Sequence, residues 1–167
     1  MARVYVSVGS NIDAPRNVRS AVAGLRQAYA ALIVSPVYES EAVGFAGDNF
    51  LNLVVGFDTG ESVTEVARRL RAIEDDHARD RDGPRFSART LDLDLLLYDD
   101  VVIDDGSLQL PRGEITQNAF VLAPLADVAP DLRHPLTKHT YAELWRRFDK
   151  AKQSLWVVEF QWDALLA

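Results

Sequence analysis

Between Arg85 and Tyr98 the chain reads RFSARTLDLDLLLY, and within it Leu91, Leu93 and Leu95 alternate with Asp92 and Asp94. A period of two is the signature of a strand: successive side chains point to opposite faces, so one face here is leucine and the other carries both carboxylates. At the usual rise the two acids stand roughly 6–7 Å apart along the strand. Leu95, Leu96 and Leu97 then run straight on into an apolar stretch.

The same period recurs upstream. Val4, Val6 and Val8 share one face of a first strand that ends at Gly9-Ser10-Asn11. A helix follows, with Asp13 as its cap, Pro15 in its first turn, and Val18, Val22, Leu25 and Tyr29 at helical spacing. Two strands come next, about Leu32 to Ser40 and Asn49 to Phe57. Ser62-Val63-Thr64-Glu65 reads as a capping box that opens a second helix, with Val63, Val66, Leu70 and Ile73 as its apolar stripe. The Arg-rich segment from Arg79 to Arg89 has neither period and reads as a loop of about a dozen residues, a length uncommon in compact domains unless it has a job. The strand bearing the two aspartates closes a β-α-β-β-α-β order, the split βαβ arrangement of ferredoxin-like α+β folds. Short strands at Val101 to Ile103 and Leu108 to Leu110 come after it, then a helical patch from Asn118 to Val128. A helix opened by Thr140-x-x-Glu143 and a strand from Leu155 to Phe160 complete the pattern. We read residues 1–167 as a single domain.

At 167 residues the chain is long enough to bury a real core. Its formal net charge of -7 argues against coating nucleic acid, which takes many phosphate-neutralising cations. With no cysteine, disulfides and thiolate metal sites are excluded. The first residues alternate rather than form an apolar block, and no apolar run approaches the ~20 residues of a bilayer span, so the expected location is the cytoplasm.

Two carboxylates desolvated together repel, and a divalent cation removes the conflict. Mg²⁺ suits such a pair because it keeps several waters and takes one or two carboxylates plus substrate phosphates. Taken alone, D-x-D fits equally a half-exposed strand whose acids face water. Arg79, Arg81, Arg85 and Arg89 lie just upstream, and a guanidinium fork matches phosphate oxygens. Carboxylates that hold Mg²⁺ beside an arginine loop form a recurring device for phosphoryl transfer. Phe50 and Asn52 share one face of their strand, opposite Leu51, Leu53 and Val55. An aromatic beside an amide suits a flat heterocycle, although Phe50 packed under a helix fits the same spacing. The three histidines show no metal-ligand spacing, and Trp145, Trp156 and Trp162 read as packing anchors.

The motifs VSVGSN, VYESEAVGF, FLNLVV, the arginine loop, RTLDLDLLLY and FVLAPLADVAPDLRHP occur in that order from about Val4 to Pro135. In this series the chain resembles the 6-hydroxymethyl-7,8-dihydropterin pyrophosphokinase family of folate biosynthesis. The resemblance implies a ferredoxin-like α+β sandwich with a C-terminal extension. It implies an ATP- and Mg²⁺-dependent diphosphotransferase that moves pyrophosphate from ATP to the pterin hydroxymethyl oxygen and leaves AMP. By the same resemblance Asp92 and Asp94 hold two Mg²⁺ ions, and Arg79 and Arg89 stabilise charge on the transferring group. Glu74, Arg81, Arg85, Phe86, Leu95 and Arg112 belong to the nucleotide side. Phe50 and Phe120 sandwich the pterin ring, Asn52 reads its edge, and Ser40, Ala42 and Val43 complete that pocket. The implied partners are the pterin and ATP alone, without nucleic acid or membrane, on a monomer.

The chain departs from the family pattern unevenly. Phe86 replaces a tryptophan, Ser87-Ala88 a Gly-Pro, Arg112 a histidine and Asn118 an arginine, whereas the pterin side is better kept. A diverged paralogue that binds a pterin with altered or lost kinase activity is therefore the alternative reading. An RNA-recognition module shares the β-α-β-β-α-β order, but the acidic balance and the missing aromatic-basic run weigh against it.

Overall fold

The computed structural model describes residues 1–41, 48–78 and 91–162. The first elements are β1 (Ala2–Ser10), α1 (Ala14–Tyr29), β2 (Ile33–Val34), β3 (Val37–Ser40), β4 (Phe50–Thr59), α2 (Val63–Ala78) and β5 (Asp92–Tyr98). Across the sheet they run β5-β1-β4-β3, each pair antiparallel, with β2 also on β4. With β2 and β3 taken as the one strand expected there, this is the ferredoxin-like β-α-β-β-α-β arrangement. A two-stranded ribbon of β6 (Ile103–Asp104) and β7 (Gln109–Leu110) follows. After it come α3 (Ala119–Val128), α4 (Tyr141–Arg147) and β8 (Leu155–Val158). β8 pairs with β3, so the C-terminal extension adds a strand to the sheet edge.

The two sheet faces bury different layers. Val4, Val6, Val8, Leu51, Leu53, Val55, Leu93 and Leu95 pack with Val18, Val22 and Leu25 of α1 and Val66 and Leu70 of α2. Tyr5, Val54, Leu96 and Leu97 pack on the other side with Val121, Leu122 and Leu125 of α3 and with Tyr141. The capping box at α2 is complete: the Glu65 amide donates to Ser62 Oγ at 3.2 Å, and the Ser62 amide donates to Glu65 Oε1 at 3.0 Å. No helix among the described residues is long and apolar enough to cross a membrane.

Several local expectations are corrected. The strand expected from Leu32 to Ser40 breaks at Ser35-Pro36, because proline has no N–H for the ladder. The Ser35 hydroxyl repairs the gap, accepting the Val54 amide at 2.9 Å and donating to the Pro36 carbonyl at 2.8 Å. Leu95, Leu96 and Leu97 do not alternate, because Val6 pairs with Leu95 while Tyr5 pairs with Leu97. Leu96 is the extra residue of a β-bulge, so Leu95 enters the α1/α2 layer while Leu96 and Leu97 both enter the α3 layer. Asp13 stands at the start of α1 in left-handed conformation and makes no side-chain cap. Trp156 is 41% exposed on β8 and is no packing anchor. β6 starts later than expected, and β8 stops at Val158.

Candidate active site

On the α3 side of the sheet the helix layer stops short of the ends of β1, β4 and β5. A cleft of about 330 Å³ opens there, and its lining includes Ser7, Gly9, Ser40, Phe50, Asn52, Asp92, Asp94, Arg112, Glu114, Asn118 and Phe120. Three strands contribute to one row of its floor, since Gly9 pairs with Asn52 on one side and with Asp92 on the other. Two residue pairs further along, on the same face, Ser7 lies beside Asp94. Asn52 and Asp92 are thus two strand spacings apart, roughly 10 Å. That span fits a bicyclic ring at one end and a phosphate chain at the other.

Gly9 is what keeps the floor flat. A Cβ there would lie 3.1 Å from Asn52 Oδ1, tighter than ordinary contact. Asn52 cannot easily give way: it is 5% exposed, and its Nδ2 donates to Ser40 Oγ at 2.9 Å. Phe50 enters the cleft from the start of β4 and Phe120 from the first turn of α3.

At the other end Asp92 and Asp94 line the cleft together, as the alternation of β5 requires. Both are half-buried oxygen donors, and no cluster of three or more metal-ligating side chains exists among the described residues. A pair of carboxylates that leaves most positions to water and phosphate oxygens fits Mg²⁺ better than a metal needing a full protein cage. Arg112 reaches into the same end. Its backbone amide donates to the Leu96 carbonyl at 3.1 Å, which ties the segment to β5. Its Nη2 lies 3.6 Å from Asp94 Oδ1, and its Nε donates to Glu114 Oε2. Asn118, at the start of α3, lines the cleft beside it.

Two further residues expected on the nucleotide side, Glu74 and Leu95, adjoin the acid end through β5. Glu74 is not among the cleft-lining residues. It reaches from α2 to β5, where the Leu93 amide donates to its Oε2 at 2.8 Å. Burial pushes its carboxyl up to about 7, Asp94, Asp92 and Asp75 add to the rise, and the Leu93 N–H opposes it. The Leu95 side chain lies in the α1/α2 core, so only its backbone can meet a ligand. Arg79, Arg81, Arg85, Phe86, Arg89, Ala42 and Val43 lie outside the described residues. Gly9, Ser7 and Glu114 were not foreseen as lining residues. VSVGSN marks the end of β1, but Gly9 acquires a role only from its register between two other strands.

The family model described as 7,8-dihydro-6-hydroxymethylpterin-pyrophosphokinase matches residues 5–130. The chain is 40% identical over 141 residues to a 2-amino-4-hydroxy-6-hydroxymethyldihydropteridine pyrophosphokinase of Pseudomonas aeruginosa, covering 82% of this chain and 86% of that protein. It is 34% identical over 146 residues to a folic acid synthesis protein of Schizosaccharomyces pombe, covering 83% of this chain but 19% of that one. Among solved structures, the fold is similar to a Plasmodium falciparum HPPK-DHPS crystallised with pterin and p-hydroxybenzoate, at a TM-score of 0.70 and 14% identity. That likeness covers 87% of this chain and 43% of the other.

Proposed function

The chain belongs to the 7,8-dihydro-6-hydroxymethylpterin-pyrophosphokinase family, and from that premise we propose how its cleft carries out pyrophosphate transfer as a cytoplasmic monomer. The protein is an ATP-dependent pyrophosphokinase of folate synthesis. The hydroxymethyl oxygen of the pterin attacks the β-phosphorus of ATP, the bond from that phosphorus to the α-bridging oxygen breaks, and AMP leaves while the hydroxyl proton is released.

One observation carries the assignment of residues: the Asn52–Gly9–Asp92 row, which joins an amide-and-aromatic pocket to a carboxylate pair across one glycine. We assign Asn52 to the hydrogen-bonding edge of the pterin, with Ser40 fixing the amide's orientation. Phe50 and Phe120 take the two faces of the ring, where offset stacking contributes ~0.5–1.5 kcal/mol beyond area burial. Ala42 and Val43 complete the pocket. Asp92 and Asp94 would hold two Mg²⁺ ions, which would supply charge neutralisation at the phosphates facing the incoming hydroxyl. Arg79 and Arg89 stabilise the transferring group, Arg81, Arg85 and Phe86 contact the nucleotide, and Leu95 does so through its backbone. Glu74 supports β5 at the nucleotide end rather than contributing from within the cleft. No side chain is required as general base when positioning and charge dominate, as they do in phosphoryl transfer.

The paralogue without kinase activity is not favoured. Arg112 and Asn118, two of the substituted positions, line the same cleft as Asp94, so a cation remains at the phosphate end. The test is a coupled assay for AMP with 6-hydroxymethyl-7,8-dihydropterin and ATP, with and without Mg²⁺. Pterin- and Mg²⁺-dependent AMP release is expected. ATP hydrolysis that ignores the pterin would refute the assignment.

A further inference from the structure

We propose that Arg112 is a built-in counter-cation for the metal-binding carboxylate of Asp94, held in reserve by Glu114 and handed to the triphosphate when metal and nucleotide arrive together. The proposal rests on the assignment of Asp92 and Asp94 as metal ligands and adds a coupling between the two ligands of that site.

The geometry is a guanidinium shared between two acids. Nε of Arg112 donates to Glu114 Oε2 while Nη2 faces Asp94 Oδ1 at 3.6 Å, beyond hydrogen-bond range. The Glu114 arm is thus the fixed one and the Asp94 arm the loose one. Only arginine presents donors on two sides of a rigid plane and can serve both carboxylates at once. All three side chains are about one-third exposed, at 33% for Arg112, 37% for Asp94 and 38% for Glu114. An ion pair so exposed is weak and exchangeable. Arg112 therefore relieves the negative charge at Asp94 without locking it.

Two consequences follow from linkage. Metal without nucleotide must displace the guanidinium from Asp94, so Arg112 weakens it. Metal with nucleotide displaces the same group toward phosphate oxygens that match its fork, so Arg112 strengthens it. The two ligands are coupled through one side chain, and the coupling is reciprocal.

Isothermal titration with Mg²⁺ alone, and then with α,β-methylene-ATP at saturating Mg²⁺, reads both terms. Arg112→Gln is expected to bind Mg²⁺ alone roughly 2- to 5-fold tighter, the range an exposed ion pair provides, yet to bind the analogue more weakly. Glu114→Gln is expected to weaken Mg²⁺ alone, because the guanidinium loses its other carboxylate and leans on Asp94. Arg112→Lys keeps the charge but not the fork, and should tighten Mg²⁺ alone in part; it also guards against a glutamine variant that fails to fold. A wild-type protein that binds Mg²⁺ while Arg112→Gln leaves that affinity unchanged or weaker overturns this proposal alone. A wild-type protein that binds no Mg²⁺ even with the analogue overturns the metal assignment beneath it.

Discussion

The two ends of the cleft are built on different physics. At the pterin end a buried amide is fixed by a serine hydroxyl and flanked by aromatics, with Gly9 holding the floor flat. At the nucleotide end Asp94 and Glu114 flank Arg112, and Asp92 lines the same cleft, all partly open to water. The first end is held by neutral hydrogen bonds and packing, whereas the second is held by charge. On the proposed assignment, shape would set pterin selection, and charge would set nucleotide affinity and rate.

The largest effect that could break this division comes from the acids. Asp92→Asn and Asp94→Asn should each lower turnover by ~10²-fold or more, the scale seen when a charge-stabilising group is removed, while pterin affinity measured by fluorescence titration stays near wild type. A variant that lost pterin binding to the same degree would erase the distinction. Gly9→Ala works from the opposite side. Its Cβ crowds an amide that cannot retreat, and overpacking of this kind costs about 1–3 kcal/mol; pterin affinity should fall about tenfold or more while metal affinity by titration is retained. Raising salt from low to physiological ionic strength should then weaken nucleotide binding severalfold and leave pterin binding little changed, since exposed charges are screened and a packed ring is not.

The last effect bears on stability rather than on ligand binding and concerns Glu74. Its carboxyl is raised from 4.5 to about 7 in the folded protein, so the fold favours the neutral acid. That stability is fully present below the unfolded value and is lost as pH rises through the folded one. Wild-type melting temperature should therefore decline between about pH 4.5 and 7 relative to Glu74→Gln, whose amide can still accept from Leu93 and does not titrate. Parallel melting curves for the two proteins would remove the carboxyl from this role.

The same contrast explains what the sequence could and could not reveal. β1, β4 and β5 were legible because a half-buried strand writes its two faces into a period of two, and the α2 capping box because its hydrogen bonds are local. The ferredoxin-like class followed from the element order, but the place of β8 beside β3 did not. The bulge at Leu96 was hidden, since three leucines satisfy either face, and so was the hydroxyl that bridges the Ser35-Pro36 break. Phe50, Asn52, Asp92 and Asp94 announced themselves by face, and the family resemblance added Phe120 and Arg112. Gly9 did not, because its importance lies in the residues beside it on neighbouring strands, and register is a tertiary fact. The pairing of Arg112 with both Glu114 and Asp94 was likewise invisible, because it joins β5 to a segment beyond the β6–β7 ribbon.

Anomalous diffraction from crystals grown with Mn²⁺ in place of Mg²⁺, a nonhydrolysable ATP analogue and the pterin tests the shared floor most directly. The arrangement described above requires manganese peaks within bonding distance of both Asp92 and Asp94, and a ring stacked over the Gly9 side against Asn52. Aspartates turned to bulk solvent with the metal elsewhere, or a pterin seated away from Asn52, would contradict it.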